Sequence, residues 1–450
     1  MSDESTVPNL GERDRIAPEI GEFPPLSDPG KDERAASGVP VVPVFDGYRA
    51  LAILGIVLFH LLINSGIVQR AGGSFGGQLI WATGPELVDI LFIVSGFVVF
   101  LPTVAQRGRF GSISAYVIRR SARLLPAYWL SLGVMLLVMA TQPGVPGPGA
   151  GELASNFSGQ QTLVQMISPG TQIGFGFDTP LWTLTLEVGF YIVLPFIAAS
   201  YFRRPLVGLA IGLAIAVLWR QAFHHIGDIA SWFGGDLSLR RALELQFNSI
   251  NQLPNWAFSF AAGMTGAWAY VRVRERYDRA KVERIAARLL IPALLVFAFF
   301  VYLVGRKAIG TTFPNGITPN LLARESTIPS IGFTASLATV MLVLAFAPAR
   351  LQTPFAHPLA RKLGDISYGI YLIQAPILWF LVFHWRSLPT NGTLGSFAAW
   401  VAVVVPVAVL YGYLSARFVE QPIRRWAHRF GRRAQARSQP SPELRAKAQT

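Results

Sequence analysis

Val44-Phe45-Asp46-Gly47-Tyr48-Arg49-Ala50-Leu51-Ala52-Ile53-Leu54-Gly55-Ile56-Val57-Leu58-Phe59-His60-Leu61-Leu62-Ile63 is an apolar run that carries a cation near its start and an imidazole near its end. Arg49 and His60 are eleven residues apart, close to three helical turns, so in a helix they project from nearly one face, roughly 16 Å apart along the axis. If the run crosses a bilayer, that face holds a charge near one surface and a titratable ring deep inside. Ionisable groups at such depth are costly and mark a pathway or a reactive centre. The plainer reading is an arginine snorkelling to headgroups and a histidine satisfied by a neighbouring helix.

Composition identifies the solvent. The chain has 450 residues, is 52% hydrophobic and 12% aromatic, and only 14% of it is charged. That is too little polar surface for a soluble globule of this length, and it predicts a multi-pass integral protein of the cell membrane. The net charge of +14 would point to nucleic acid in a soluble protein. Here the basic residues gather in short segments between apolar runs, so they read as topology determinants in a lipid bilayer, with no nucleic-acid partner. With no cysteine there is no disulfide, no thiolate metal site and no acyl-enzyme through sulfur. No metal site is expected.

The first forty residues are rich in Pro, Gly, Ser, Asp and Glu and lack a hydrophobic signal region, which predicts a disordered cytoplasmic tail over 1–40. About ten spans follow, at 44–66, 79–102, 122–140, 181–200, 205–220, 253–271, 289–305, 329–347, 366–385 and 395–416. The shortest, 205–220, is the least secure span, being short enough to be partly buried by its neighbours. The fold class is therefore all-α, a polytopic transmembrane helix bundle over 41–428, with a basic disordered tail over 429–450. Alternate connections are basic, among them the arginines between 107 and 123 and those between 272 and 288, whereas Thr141 to Thr179 has neither Lys nor Arg. Both termini are accordingly expected on the cytoplasmic side. The segment 141–179 is rich in Gly and Pro and must lie outside the hydrocarbon or line a cavity. No internal repeat is obvious, which weakens an inverted-repeat transporter.

Further polar groups enter the spans. Glu86 and Asp89 stand at the outer part of the second, in Gly84-Pro85-Glu86-Leu87-Val88-Asp89. Asp89 is placed to orient or balance His60, unless both carboxylates only mark an exposed helix start. Glu187, in Trp182-Thr183-Leu184-Thr185-Leu186-Glu187, opens the fourth span among aromatic residues and suits a hydroxylated acceptor or a cation. Arg120 and Arg123 are one turn apart before the third span, a two-pronged clamp for a phosphorylated cofactor, although topology alone also supplies arginines here.

These residues, in this order, resemble the acyltransferase-3 group of integral membrane O-acyltransferases over about residues 40 to 428. The resemblance rests on Phe45-Asp46-Gly47-Tyr48-Arg49 with His60, on Leu87 to Phe97, and on Arg119-Arg120-Ser121-Ala122-Arg123-Leu124-Leu125-Pro126-Ala127-Tyr128. Trp182 to Glu187, Ile366 to Leu372 and Glu420-Gln421-Pro422 complete it. It implies an enzyme that takes an acyl group, usually acetyl, from acyl-CoA on the cytoplasmic side and esterifies a hydroxyl of a glycan, glycolipid or natural product. By the same resemblance His60 and Arg49 are the functional pair, and Arg120 and Arg123 meet the CoA. Many such proteins carry a histidine where this chain has Gln374, and a glutamine hydrogen-bonds without titrating near neutrality. The segment after the last span is short, so the membrane domain itself is expected to deliver the acyl group to its acceptor or to a separate protein.

The chemistry expected is direct transfer. A neutral His60, oriented by a carboxylate such as Asp89, removes the acceptor hydroxyl's proton as that oxygen attacks the thioester; an acyl-histidine intermediate is the variant. Glu187 is a further candidate base. Arg49 is too distant along the helix to touch the same atom and belongs to the CoA path or an ion pair. The alternative from another functional class is a proton-coupled transporter or lipid flippase that uses His60, Asp89 and Glu187 as a relay.

Overall fold

The expected spans fold as long helices in a computed structural model that describes residues 39–72, 74–142, 147–167, 181–309 and 327–437. They are α1 (Val44–Asn64), α2 (Phe75–Thr83) continuing through a short 3-10 turn into α3 (Val88–Ala105), α4 (Ile113–Ala140), α5 (Trp182–Arg203) and α6 (Pro205–His224). After them come α7 (Ala257–Arg276), α8 (Arg279–Ile309), α9 (Thr327–Phe346), α10 (Pro358–Phe380), α11 (Leu394–Ser415) and α12 (Gln421–Arg437). No strand occurs among the described residues, and where Pro195 and Pro376 interrupt their helices a neighbouring helix bonds the freed carbonyl, Tyr116 donating to that of Tyr191 and Ser131 to that of Leu372.

Nine segments among the described residues are long and apolar enough to cross a membrane. The expected span 253–271 supplies α7, a full helix that falls outside that set. Its sequence, Ala257-Phe258-Ser259-Phe260-Ala261-Ala262-Gly263-Met264-Thr265-Gly266, is built from small and aromatic residues because it faces protein. Helices in lipid gain little from hydrophobicity against one another and associate through close contact instead. A Cβ on Gly263 would stand 2.2 Å from the Ile93 carbonyl oxygen, and one on Gly96 would stand 2.3 Å from that of Phe260. The backbones of α3 and α7 therefore touch, and this is the most extensive helix pair in the bundle.

Around this pair α1 packs on α3 and α10, while α4, α5 and α9 complete the inner ring. The shortest expected span, 205–220, is a full helix of 20 residues, α6, which is partly buried: only 11% of its most apolar window is fully buried, but Pro205, Gly212 and Ala216 are covered and a Cβ on Gly212 would stand 2.6 Å from Ala261 of α7. The helix α8 is peripheral.

The tail expected over 1–40 lies outside the described residues except for its last two. Of the tail expected over 429–450, residues 438–450 lie outside, but α12 runs through Arg437, past the boundary placed at 428. In the segment 141–179, which lacks Lys and Arg, residues 143–146 and 168–179 are likewise outside the described set. Between them two short helices, Ala150–Phe157 and Gln161–Ile167, dock on the bundle. Tyr128 donates its hydroxyl hydrogen to the Asn156 carbonyl, and Gln252 donates to that of Thr162 at 2.8 Å. These two short helices thus form a hydrogen-bonded cap over one end of the bundle.

Candidate active site

The face from which α1 enters carries a charged cleft of ≈ 750 Å³, counted out to its open mouth. Asp46 and Arg49 from α1, Arg123 from α4, Asp365 and Tyr368 from α10, and Glu420 with Arg424 line it. Glycine lets these elements meet: a Cβ on Gly364 would lie 2.4 Å from the Asp46 carbonyl oxygen, so α10 crosses α1 at backbone contact. Tyr368 donates to the Leu124 carbonyl at 2.9 Å and ties α10 to α4. Glu420 and Arg424 approach to 3.7 Å.

Deeper in the bundle, Glu187 of α5 accepts hydrogen bonds from Ser95 of α3 at 2.7 Å and from its own helix neighbour Tyr191. Its carboxylate and Arg123 both lie within electrostatic reach of Arg49. Arg120 turns elsewhere. Its guanidinium stacks over the rings of Tyr116 and Tyr191, 5.8 Å and 5.1 Å from their centroids, at the floor of an apolar groove between α4 and α5. Such stacking is favourable for a cation partly removed from water. The two arginines expected as one clamp therefore open on different cavities: three residues turn a helix by roughly 300°, which leaves their directions about 60° apart.

Farther along the same helices, Thr183 and Tyr371 share a hydrogen bond at 2.7 Å. His60 Nδ1 meets Gln374 Oε1 at 3.0 Å. Thr183, Glu187 and Tyr191 repeat every four residues along one face of α5, and Tyr371 and Gln374 are neighbours on α10. With Arg49 and His60 on α1, these faces form a polar track from the cleft into the bundle.

Asp89 is not the partner of His60. It is fully buried, and its oxygens accept from Ser259 of α7 and, at 2.7 Å, from Thr334 of α9. It does not mark an exposed helix start either. Glu86 accepts from Ser330 at 2.9 Å. Arg220, whose Nε donates to Asn255 Oδ1 at 3.0 Å, lies within electrostatic reach of both carboxylates. This second polar cluster joins α3, α6, α7 and α9 and is separate from the His60–Gln374 contact. Sequence reading overlooked Arg220, Ser259 and Thr334. Arg220 left a signal, as a lone cation closing an apolar run, whereas single hydroxyls inside helices leave none.

Among the described residues, no three His, Asp or Glu side chains converge as a metal site. The site offers an imidazole, hydroxyls, an amide and guanidinium groups, which suit proton transfer and the binding of phosphate-bearing molecules.

The sequence profile of a family described as an acyltransferase domain matches residues 42–414. A peptidoglycan O-acetyltransferase of Listeria monocytogenes is 25% identical over 406 residues, 85% of this chain and 56% of that protein. Nodulation protein 10 of Rhizobium leguminosarum is 26% identical over 397 residues, 84% of this chain and 92% of that protein. The chain thus spans little more than half the length of the Listeria protein. No solved structure matches significantly.

Proposed function

Because the chain belongs to the acyltransferase family matched over residues 42–414, we propose that it is a membrane O-acyltransferase. On this reading it moves an acetyl group from acetyl-CoA to a hydroxyl of a cell-envelope glycan. The observation that carries the reading is the alignment on α1: Arg49 opens on the charged cleft with Arg123 and Arg424, and His60 follows on the same helix face, roughly 16 Å deeper. An extended pantetheine arm covers such a distance, so phosphates held by guanidinium groups at the mouth leave the thioester beside the imidazole. The glycan acceptor is the class on which the Listeria relative's name says that protein acts.

His60 then takes the proton of the acceptor hydroxyl as its oxygen attacks the thioester carbon, a contribution on the order of 10²–10⁴-fold. Arg49 and Arg123 bind and do not react. Glu187 holds α3 against α5 beside the cleft. A relay for a proton-coupled transporter or flippase would need His60, Asp89 and Glu187 in one chain of hydrogen bonds. Instead their partners are Gln374, Ser259 with Thr334, and Ser95 with Tyr191, three separate sets that support transfer.

Purified protein in lipid nanodiscs, given labelled acetyl-CoA and an N-acetylglucosamine oligosaccharide, should release CoA only when the oligosaccharide is present. His60→Gln should abolish the transfer at unchanged abundance, since glutamine accepts no proton near neutrality. A variant that keeps more than about a tenth of the rate, a deficit under ~1.4 kcal/mol, would show that proton transfer at His60 is not the chemical step.

A further inference from the structure

Gln374 is fully buried, and its two polar atoms have different fates. Oε1 meets His60 Nδ1 at 3.0 Å, while Nε2 has no hydrogen-bond partner. A buried amide donor without a partner forfeits the hydrogen bonds it made in water and persists where another group fills the place. An amide is planar, so this free donor stands on the same group that grips the imidazole. No other side chain is bonded to the His60 ring among the described residues.

We propose that Gln374 sets the His60 tautomer through Oε1 and donates its free Nε2–H to the acyl carbonyl oxygen during transfer. The inference rests on the reading of His60 as the base. A carbonyl-type acceptor at Nδ1 requires the proton on Nδ1, which leaves the Nε2 lone pair to work as base. The acceptor O–H proton passes to His60 Nε2 as the new O–C bond forms, and the carbonyl π pair moves onto oxygen, where the Gln374 N–H meets the developing charge. Collapse restores the carbonyl and breaks the C–S bond, and the departing CoA thiolate recovers the proton from His60. One side chain thereby orients the base and stabilises the oxyanion. A histidine at 374 offers the same pair, one ring nitrogen to accept and one to donate.

The test combines ¹⁵N NMR of histidine-labelled protein in nanodiscs with transfer from acetyl-CoA to the oligosaccharide. The chain has six histidines, and a His60→Gln sample assigns the His60 signals by difference. In the wild type the His60 proton is expected on Nδ1. Gln374→Met should move it to Nε2 and lower kcat by on the order of 100-fold, with the KM for acetyl-CoA within about threefold; Gln374→His should restore both readouts. Removing a merely structural residue would lower abundance and leave the tautomer alone. A wild-type ring protonated on Nε2 overturns the proposal without any variant, and so does a Gln374→Met protein that keeps the Nδ1 proton or loses less than threefold in kcat. If the wild type transfers nothing while its His60 carries the proton on Nδ1, the acyl-transfer reading falls with the donor role, and the tautomer assignment stands.

Discussion

Removing the Glu187 carboxylate tests whether this group is a structural anchor or the base. It accepts two hydroxyl hydrogen bonds, from Ser95 and Tyr191, both of which are buried. Glu187→Gln keeps an acceptor oxygen but turns two bonds to a charged group into neutral ones. With charged bonds worth ~1.5–3 kcal/mol and neutral ones ~0.5–1.5, the expected cost is about 2 kcal/mol over the two. Glu187→Ala strands both hydroxyls at about 1–3 kcal/mol each. Because the Glu187 side chain is itself only half-buried, the lower part of that range applies, about 2–4 kcal/mol. Titrating both variants with SDS in mixed micelles should therefore order them wild type, Gln, Ala. A double-mutant cycle with Ser95→Ala should show a coupling of about 1 kcal/mol. Zero coupling, or an alanine variant as stable as the wild type, would refute the anchor. So would a Glu187→Gln enzyme that is fully stable yet inactive, which would make Glu187 the base.

Arg123→Glu should raise the acetyl-CoA KM tenfold or more, since a lost phosphate contact removes about 1.5–3 kcal/mol; Arg120→Glu, which faces the groove between α4 and α5, should raise it less. Equal effects on matched membrane abundance would reinstate a single clamp. Gly263→Leu places a side chain where a Cβ already meets the Ile93 carbonyl at 2.2 Å, so folded protein in the membrane should fall by an equivalent of about 1–3 kcal/mol or more. Gly151→Leu, where a Cβ meets nothing within 4 Å, serves as the neutral control. Reporter fusions after residue 112, after residue 280 and at the carboxyl terminus should read cytoplasmic and one within 145–170 external, following the basic connections; a cytoplasmic signal from 145–170 would overturn the count of spans.

Sequence alone determined that the chain is a helical membrane bundle, because apolar runs of about twenty residues admit few other structures in lipid. It also showed that Arg49 and His60 share a face, since helical periodicity is local. Partners across helices were not legible. Helical spacing says which way Asp89 points along its own helix but not which neighbour stands there, and the tertiary order placed α7 and α9 beside it instead of α1. The same limit hid Gln374 as the partner of His60, 314 residues away in the chain, and the separation of Arg120, over the Tyr191 ring of α5, from Arg123, in the cleft. In lipid the hydrophobic effect sorts segments into the membrane but not against one another. The choice of neighbours fell to glycine-sized contacts such as Gly96 with Phe260 and Gly364 with Asp46, whose complementarity exists only between assembled helices.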